Sequence, residues 1–198
     1  MKLRSIALLF ACALITSTAA HAQAGAYAMF DAEQFTRDGL FQNPPTGHSN
    51  SDSPWLYGPT FGAFYTITHV PKLGEVHTGP IRIGIDGRGS ILRTNTQYSR
   101  SLAIVSLRIT PKHEWAHIMP YVQGGAGLGH TKVPGQANFT NNWDYVFAAG
   151  ADRKLGHNLD WRVVEVSGGF MGDYVAGTST NNSNHHLDFA TGIVYRFH

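Results

Sequence analysis

The stretch LDFATGIVYRF at 187–197 decides the fold, because bulky residues alternate along it with small or charged ones. A period of two over roughly ten residues is typical of a β-strand with two different faces, whereas a helix repeats every 3.6 residues. The bulky set is Leu187, Phe189, Thr191, Ile193, Tyr195 and Phe197, and the other set is Asp188, Ala190, Gly192, Val194 and Arg196. The pattern predicts an amphipathic strand at 185–198.

Seven further segments show strand character, and little of the chain reads as helix. Pro120 is unwelcome inside a paired strand and predicts a bulge or a strand start there. In the seventh segment the alternation changes phase, and a bulge near Val163 and Val164 would restore one polar face. The eight predicted strands are 26–37, 60–70, 78–91, 99–110, 115–129, 142–153, 159–173 and 185–198.

The connections between these segments are predicted to alternate between long and short. The longest is DGLFQNPPTGHSNSDSPWLYG at 38–58, which is rich in Asn, Pro, Ser and Gly. Up-and-down barrels of the outer membrane have tight periplasmic turns and extended external loops. The sequence therefore predicts an all-β, eight-stranded antiparallel up-and-down transmembrane barrel, with both chain ends on the periplasmic side.

The first 22 residues predict a cleaved signal peptide. Lys2 and Arg4 precede the apolar run IALLFACALI (6–15), and Ala20, His21 and Ala22 supply a small-x-small cleavage site. That run is shorter than the roughly 20 residues of a membrane-spanning helix. Lipidation of Cys12 is the less favoured alternative. We expect one barrel domain at 23–198.

The composition excludes several classes of protein. Only 14% of the 198 residues are charged, 12% are aromatic, and there are 22 glycines and one cysteine. A disordered chain, a disulfide scaffold and a thiolate metal cluster are therefore excluded. Loss of Lys2 and Arg4 with the signal peptide lowers the 15 basic residues to 13, the number of acidic ones, so no nucleic-acid partner is expected.

The polar faces of the strands favour an inverted barrel over a soluble one. A soluble ligand-binding barrel has its apolar face inside, whereas a membrane barrel has it outside. Arginines and carboxylates occur together on these faces, and lysine is nearly absent from them, which suits a narrow interior. Eight strands leave room only for side chains, so a plugged interior without an open pore is expected. The predicted structural charge network is Arg82, Asp86, Arg88, Arg108, Asp144, Asp152, Asp160, Arg162, Glu165, Asp188 and Arg196.

Aromatic residues on the apolar faces lie towards the strand ends. Rings at that level are typical of the two interfacial girdles of a membrane protein. The predicted interfacial aromatics are Trp115, Trp143, Tyr145, Trp161, Tyr195 and Phe197, with Tyr121 grouped beside them.

These features together resemble the small OmpA-like outer-membrane β-barrel family. The resemblance rests on the signal peptide, the eight alternating strands and three stretches, PYVQGGAGLG (120–129), YVFAAGADRKLGHNLDWRVVEV (145–166) and DFATGIVYRFH (188–198). It implies an outer-membrane location, contact with outer-membrane lipid and assembly by the barrel-assembly machinery. Family barrels usually end in an aromatic residue, whereas here Phe197 is followed by His198, so Phe197 is the expected assembly signal.

The expected function is structural or surface-interacting, without catalysis or cofactor, and the partner of the external loops is unknown. One alternative is a secreted soluble barrel that binds an apolar ligand, and another is a lipid-modifying enzyme. The deacylases among such barrels use a His-x-Ser pair, which this chain lacks. Asp173 with His185 or His186 could approach across the last loop, but nothing in the sequence places them within hydrogen-bond reach.

The chain has eleven histidines, of which His21 lies in the predicted signal peptide. The histidines expected on or beside the external loops are His48, His130, His185 and His186, and those expected near the periplasmic rim are His69, His77, His113, His117 and His157. His113 and His117 have a spacing of four, as on a helix, but they lie at a predicted strand start, where such residues are about 13 Å apart. No metal site is therefore expected.

Overall fold

The alternating segments form a closed antiparallel barrel of eight strands. The computed structural model describes residues 24–35, 55–67, 69–70, 74–75, 80–94, 98–132, 140–173 and 184–197. The ten strands are β1 (Ala24–Phe35), β2 (Trp55–Ile67), β3 (His69–Val70), β4 (Gly74–Glu75), β5 (Ile81–Arg93), β6 (Ser99–Pro111), β7 (Ile118–Lys132), β8 (Thr140–Lys154), β9 (Leu159–Asp173) and β10 (Asn184–Phe197). The predicted fold class is confirmed, and β3 and β4 form a separate two-stranded sheet.

Strand β1 closes the barrel by pairing with β2 on one side and β10 on the other. The closing ladder runs from the pair Ala24 and Phe197 to the pair Phe35 and His186. Strand β1 therefore begins, and β10 ends, at the same rim, here called the terminal rim. This rim also carries the connections 68–80, 112–117 and 155–158. The opposite rim, here called the loop rim, carries the connections 36–54, 94–98, 133–139 and 174–183. Closure leaves no unpaired sheet edge on these eight strands.

The barrel is apolar outside and charged inside. Val105 and Phe147 are 64% and 66% exposed on the outer face, whereas Asp86 and Arg162 are fully buried in the interior. Each strand alternates between the two environments because successive side chains point to opposite faces of a sheet. This arrangement contradicts the soluble-barrel alternative, which required an apolar interior.

The predicted bulge at Val163 and Val164 is confirmed. In the β8–β9 ladder, Ala151 pairs with Val164 and Asp152 pairs with Arg162, so one residue of β9 has no partner at this point. The β9–β10 ladder shifts at the same place. The extra residue puts both Arg162 and Glu165 on the inner face, although three positions separate them.

The loop lengths depart from the predicted alternation. The connection 68–80, at the terminal rim, is longer than the connection 94–98, at the loop rim. The sequence pattern located the ends of the strands only to within a few residues. The difference between the predicted and observed ends is largest at β2, which begins at Trp55 and not at residue 60.

Pro120 lies near the start of β7, in agreement with the strand start that was one of the two predictions for this residue. The pairing of β7 with β6 begins at Val122, so the missing amide proton of Pro120 costs no hydrogen bond in that ladder. The predictions for residues 1–22, His48 and His77 concern positions outside the described residues. No helix within the described ranges is long and apolar enough to cross a membrane.

Candidate functional site: the barrel interior

Four arginines and four carboxylates meet in the middle and terminal half of the interior. We call this set the central network. Its members are Arg88, Arg108, Arg162, Arg196, Asp86, Asp152, Asp160 and Glu165, all of them predicted, and all buried. The formal charges balance, which suits a region from which water is largely displaced.

Asp152 is the carboxylate on which three arginines converge. Its oxygens accept from Arg162 Nε at 2.9 Å, from Arg108 Nη2 at 2.8 Å and from Arg196 Nη2 at 3.2 Å. Arg196 also donates to Asp160 through Nε. Strands β6, β8, β9 and β10 are thus connected through one side chain.

Glu165, which lies closer to the loop rim than Asp152, is a second carboxylate on which several donors converge. Arg88 Nη1 donates to it at 2.6 Å, Arg162 Nη1 lies at 3.4 Å, and the Tyr121 hydroxyl donates to its Oε2. Tyr27 donates to Asp86 at 2.8 Å. Arg162 therefore links the two carboxylates Asp152 and Glu165.

Aromatic rings line the central network. The guanidinium of Arg108 lies 3.7 Å from the ring centroid of Tyr121, and that of Arg162 lies 4.3 Å from the ring centroid of Tyr27. Such contacts are favourable because the ring face carries negative charge. The sequence analysis grouped Tyr121 with the outward aromatics. Tyr121 is instead buried inside the barrel, because it lies two positions before the buried Gln123 and points to the same face.

A second set of charged residues lies near the loop rim. We call it the rim cluster, and it consists of Asp31, Glu33, Arg100, Asp144, His186 and Asp188, all buried. Arg100 pairs with Glu33 and, at 2.6 Å, with Asp144. Asp188 accepts from Ser167 at 2.7 Å, and Asp31 accepts from Thr60 at 3.1 Å. Asp144 and Asp188, predicted as parts of one network, are therefore separate from the central network.

Sequence reasoning missed four members of the rim cluster, Asp31, Glu33, Arg100 and His186. Arg100 lies an even number of positions before Arg108 on β6 and therefore points to the same face. On β1, Asp31 and Glu33 alternate with Phe30 and Ala32. Strict alternation could have found them. His186 was expected at a rim, whereas its ring lies inside with Asp188, two residues further along the same face.

Arg82 and the outward aromatics complete the set of predicted residues. Arg82 is half-buried near the terminal rim. Trp143 and Tyr145 lie exposed on the outer face towards the loop rim, and Tyr145 stacks on Phe170 with ring centroids 5.0 Å apart. Trp161, Tyr195 and Phe197 are exposed towards the terminal rim.

Trp115 lies in a tight turn and not in a strand. Trp115 and Ile118 exchange two backbone hydrogen bonds of 2.9 Å, and the residues between them, Ala116 and His117, have φ angles of 51° and 62°. The expected extended geometry between His113 and His117 is therefore wrong. Among the described side chains no set of three or more His, Cys, Asp or Glu is arranged to hold a metal ion.

Comparison with known proteins gives a likeness of fold. Neisserial surface protein A matches with a TM-score of 0.57 and 12% identity, over 88% of this chain and 97% of that one. Ail, the attachment invasion locus protein of Yersinia pestis, matches with a TM-score of 0.51 and 11% identity, over 90% of this chain and all of that one. The outer membrane enzyme PagL matches with a TM-score of 0.47 and 11% identity, over 85% and 97%.

Neither a protein-family model nor a curated protein matches the chain. At these identities the structural likeness shows the fold alone. A barrel of this architecture hosts different activities, so function has to be argued from the residues of the site.

Proposed function

We propose that this chain is a small outer-membrane β-barrel protein of the OmpA-like type, with a structural or surface-interacting role. The observation that carries the proposal is the inverted polarity of the barrel. A continuous outer surface of Val, Leu, Ile and Phe side chains would be costly in water and is favourable in hydrocarbon. A charged interior is found in membrane barrels, whose lipid-facing and interior residues alternate.

The aromatic residues near both rims support an orientation across a bilayer. Trp143 and Tyr145 lie towards the loop rim, and Trp161, Tyr195 and Phe197 lie towards the terminal rim. Amphipathic rings favour the level of lipid headgroups. We assign these residues to two interfacial girdles and place the terminal rim on the periplasmic side. Trp115, 82% exposed in its turn, would then lie at or beyond the periplasmic headgroups.

We further propose that the central network closes the interior and has a structural role. Its guanidinium and carboxylate groups contact each other across the barrel between non-adjacent strands, such as β5 and β9 in the pair Arg88 and Glu165. An eight-stranded barrel is wide enough for side chains to fill and little more. The carboxylates are held by arginines, which argues for a structural use of these groups and against a catalytic one.

The connections at the loop rim would face the cell exterior and provide the surface for contact with a partner of unknown identity. Residues 1–22 would direct export and then be cleaved. Phe197 would serve as the recognition residue for the barrel-assembly machinery. No cofactor enters the proposal, since its functional surface consists of outer-membrane lipid contacts and external loops.

The proposal is tested by producing the full chain in a Gram-negative bacterium and separating its membranes. We expect the protein in the outer-membrane fraction, shortened by the signal peptide. A folded barrel should also migrate differently on a gel before and after boiling, because boiling unfolds it. Recovery of the protein in the soluble periplasmic fraction, with unchanged migration on boiling, would contradict the proposal.

A further inference from the structure

The rim cluster contains more negative than positive groups. Its carboxyl groups are Asp31 and Glu33 on β1, Asp144 on β8 and Asp188 on β10, and Arg100 on β6 is the one guanidinium in ion-pair contact with them among the described residues. Arg88 on β5, the next cation inward, pairs with Glu165 and Asp86 of the central network. Among the described residues, four buried carboxyl groups therefore face one guanidinium, and a carboxylate without a cation beside it is costly in a region of low dielectric.

The ladder between β1 and β10 brings two of these carboxyl groups directly together. Glu33 pairs with Asp188 across the ladder, and both side chains point into the interior. Residues in such positions have Cβ atoms only about 5 Å apart, and two like charges there repel each other. A proton held between the two carboxyl groups removes this repulsion, because a protonated carboxyl group donates a hydrogen bond that a carboxylate accepts.

A buried histidine in the rim cluster has unpartnered polar atoms beside Asp188. His186 is 3% exposed, and neither of its ring nitrogens has a hydrogen-bond partner, although Nε2 lies 3.6 Å from Oδ2 of Asp188. Oδ1 of Asp188 and Oδ2 of Asp144 also have no partner. These unpartnered polar atoms belong to buried side chains of β8 and β10, the two strands that flank β9.

We infer that the rim cluster is a proton-binding site in which Glu33 and Asp188 share one proton. Transfer of that proton to the pair leaves a single negative charge on two carboxyl groups, as in other pairs of adjacent carboxylates. A metal ion is the other means of supplying positive charge. The geometry disfavours it, because no set of three or more described His, Asp or Glu side chains is arranged to coordinate one.

The direct test is infrared spectroscopy of the barrel folded in detergent at neutral pH. A protonated carboxyl group gives a carbonyl band separate from those of carboxylates and of the backbone. We expect this band in the wild-type protein and its loss in Glu33→Gln and in Asp188→Asn. The matched control is Asp144→Asn, which removes a carboxylate held by Arg100 and should leave the band in place. Absence of the band from the wild type, or its persistence in both variants, would overturn the inference.

A second measurement applies to the wild type alone and so does not depend on folding of the variants. The infrared spectrum is recorded before and after addition of Mg²⁺ or Zn²⁺, and again after a chelator. We expect the carbonyl band to be unchanged throughout. A band that disappears when the metal is added and returns with the chelator would overturn the inference in favour of a metal site.

Discussion

Arg162 illustrates how single residues stabilise the interior. Its side chain is fully buried, contacts Asp152 and Glu165, and lies over the ring of Tyr27. A planar guanidinium can serve several acceptors in fixed directions, which the compact ammonium of lysine cannot do. This explains why arginine and not lysine occupies the interior positions of the strands.

Replacement of Arg162 by Met should destabilise the barrel by about 3–5 kcal/mol, because Asp152 and Glu165 would each lose a buried partner. The measurement is the free energy of unfolding in urea, with the barrel folded in lipid vesicles. The control is Lys154→Gln, which breaks an exposed ion pair to Glu114 of 3.8 Å and should cost no more than about 1 kcal/mol. Equal effects of the two variants would contradict a structural role for the central network.

Individual interior residues were predictable from the sequence to the extent that alternation was applied strictly. All the residues of the central network were identified because they alternate with outward-facing residues along their strands. Arg100 and Glu33 were not identified, although they alternate in the same way. Their pairing was beyond sequence reasoning, because it depends on how far each strand is displaced along its neighbour around the whole circumference. For the same reason the sequence could not separate Asp144 and Asp188 from the central network.

Among the strands, β7 approaches β6 closely because of its glycines. A Cβ atom at Gly127 would lie 1.9 Å from the carbonyl oxygen of Ala103, a distance that no side-chain adjustment can relieve. At Gly87 on β5, in contrast, a Cβ atom would meet nothing within 4 Å. Two glycines in the strands on either side of β6 thus differ in whether they can be replaced by a residue with a Cβ atom.

We expect Gly127→Ala to disrupt pairing of β6 with β7, and Gly87→Ala to be neutral or slightly stabilising, since alanine restricts the unfolded chain more than glycine does. The fraction of protein that shows the gel migration of the folded form, measured after refolding from urea, distinguishes the two. If both variants refold to the same extent, the close approach at Gly127 is not required for assembly.

The turn between β6 and β7 provides a test of backbone strain. Ala116 and His117 have positive φ angles, as a two-residue type I′ turn requires, but neither is a residue that favours them. The double variant Ala116→Asn, His117→Gly places the preferred pair Asn-Gly there. We expect it to stabilise the barrel by about 1 kcal/mol or more, seen as a higher urea midpoint. His113→Gly, outside the two positive-φ positions, is the control and should give no stabilisation.

Elements were predicted with uneven success for a physical reason. The bulge at Val163 and Val164 followed from the sequence because a one-residue shift reverses which side chains face inward. The turn at 115–118 did not, because Ala and His give no signal for positive φ angles. The connection 68–80 was underestimated because the predicted strands 60–70 and 78–91 each extend three residues into it.

At the scale of the whole molecule, the outer surface determines where the protein can reside. Exposed aliphatic and Phe side chains such as Val105, Leu107 and Phe147 occupy the middle of the strands, and Trp143, Trp161 and Tyr195 lie towards the rims. If this surface faces lipid, the cost of a charge on it must depend on distance from the bilayer centre. In water the cost would be independent of that distance, since every position would be solvated.

Val105 and Ile81 therefore provide a matched pair. Val105 lies in mid-strand, and Ile81 is the first residue of β5, at the terminal rim. Val105→Arg should lower the free energy of unfolding in lipid vesicles by about 2–4 kcal/mol, and Ile81→Arg by about 0–1 kcal/mol, because an arginine near the interface reaches water. The measurement is a pair of urea titrations in vesicles of one composition. Equal costs at the two positions would mean that the outer surface does not face a bilayer, and the outer-membrane assignment would have to be abandoned.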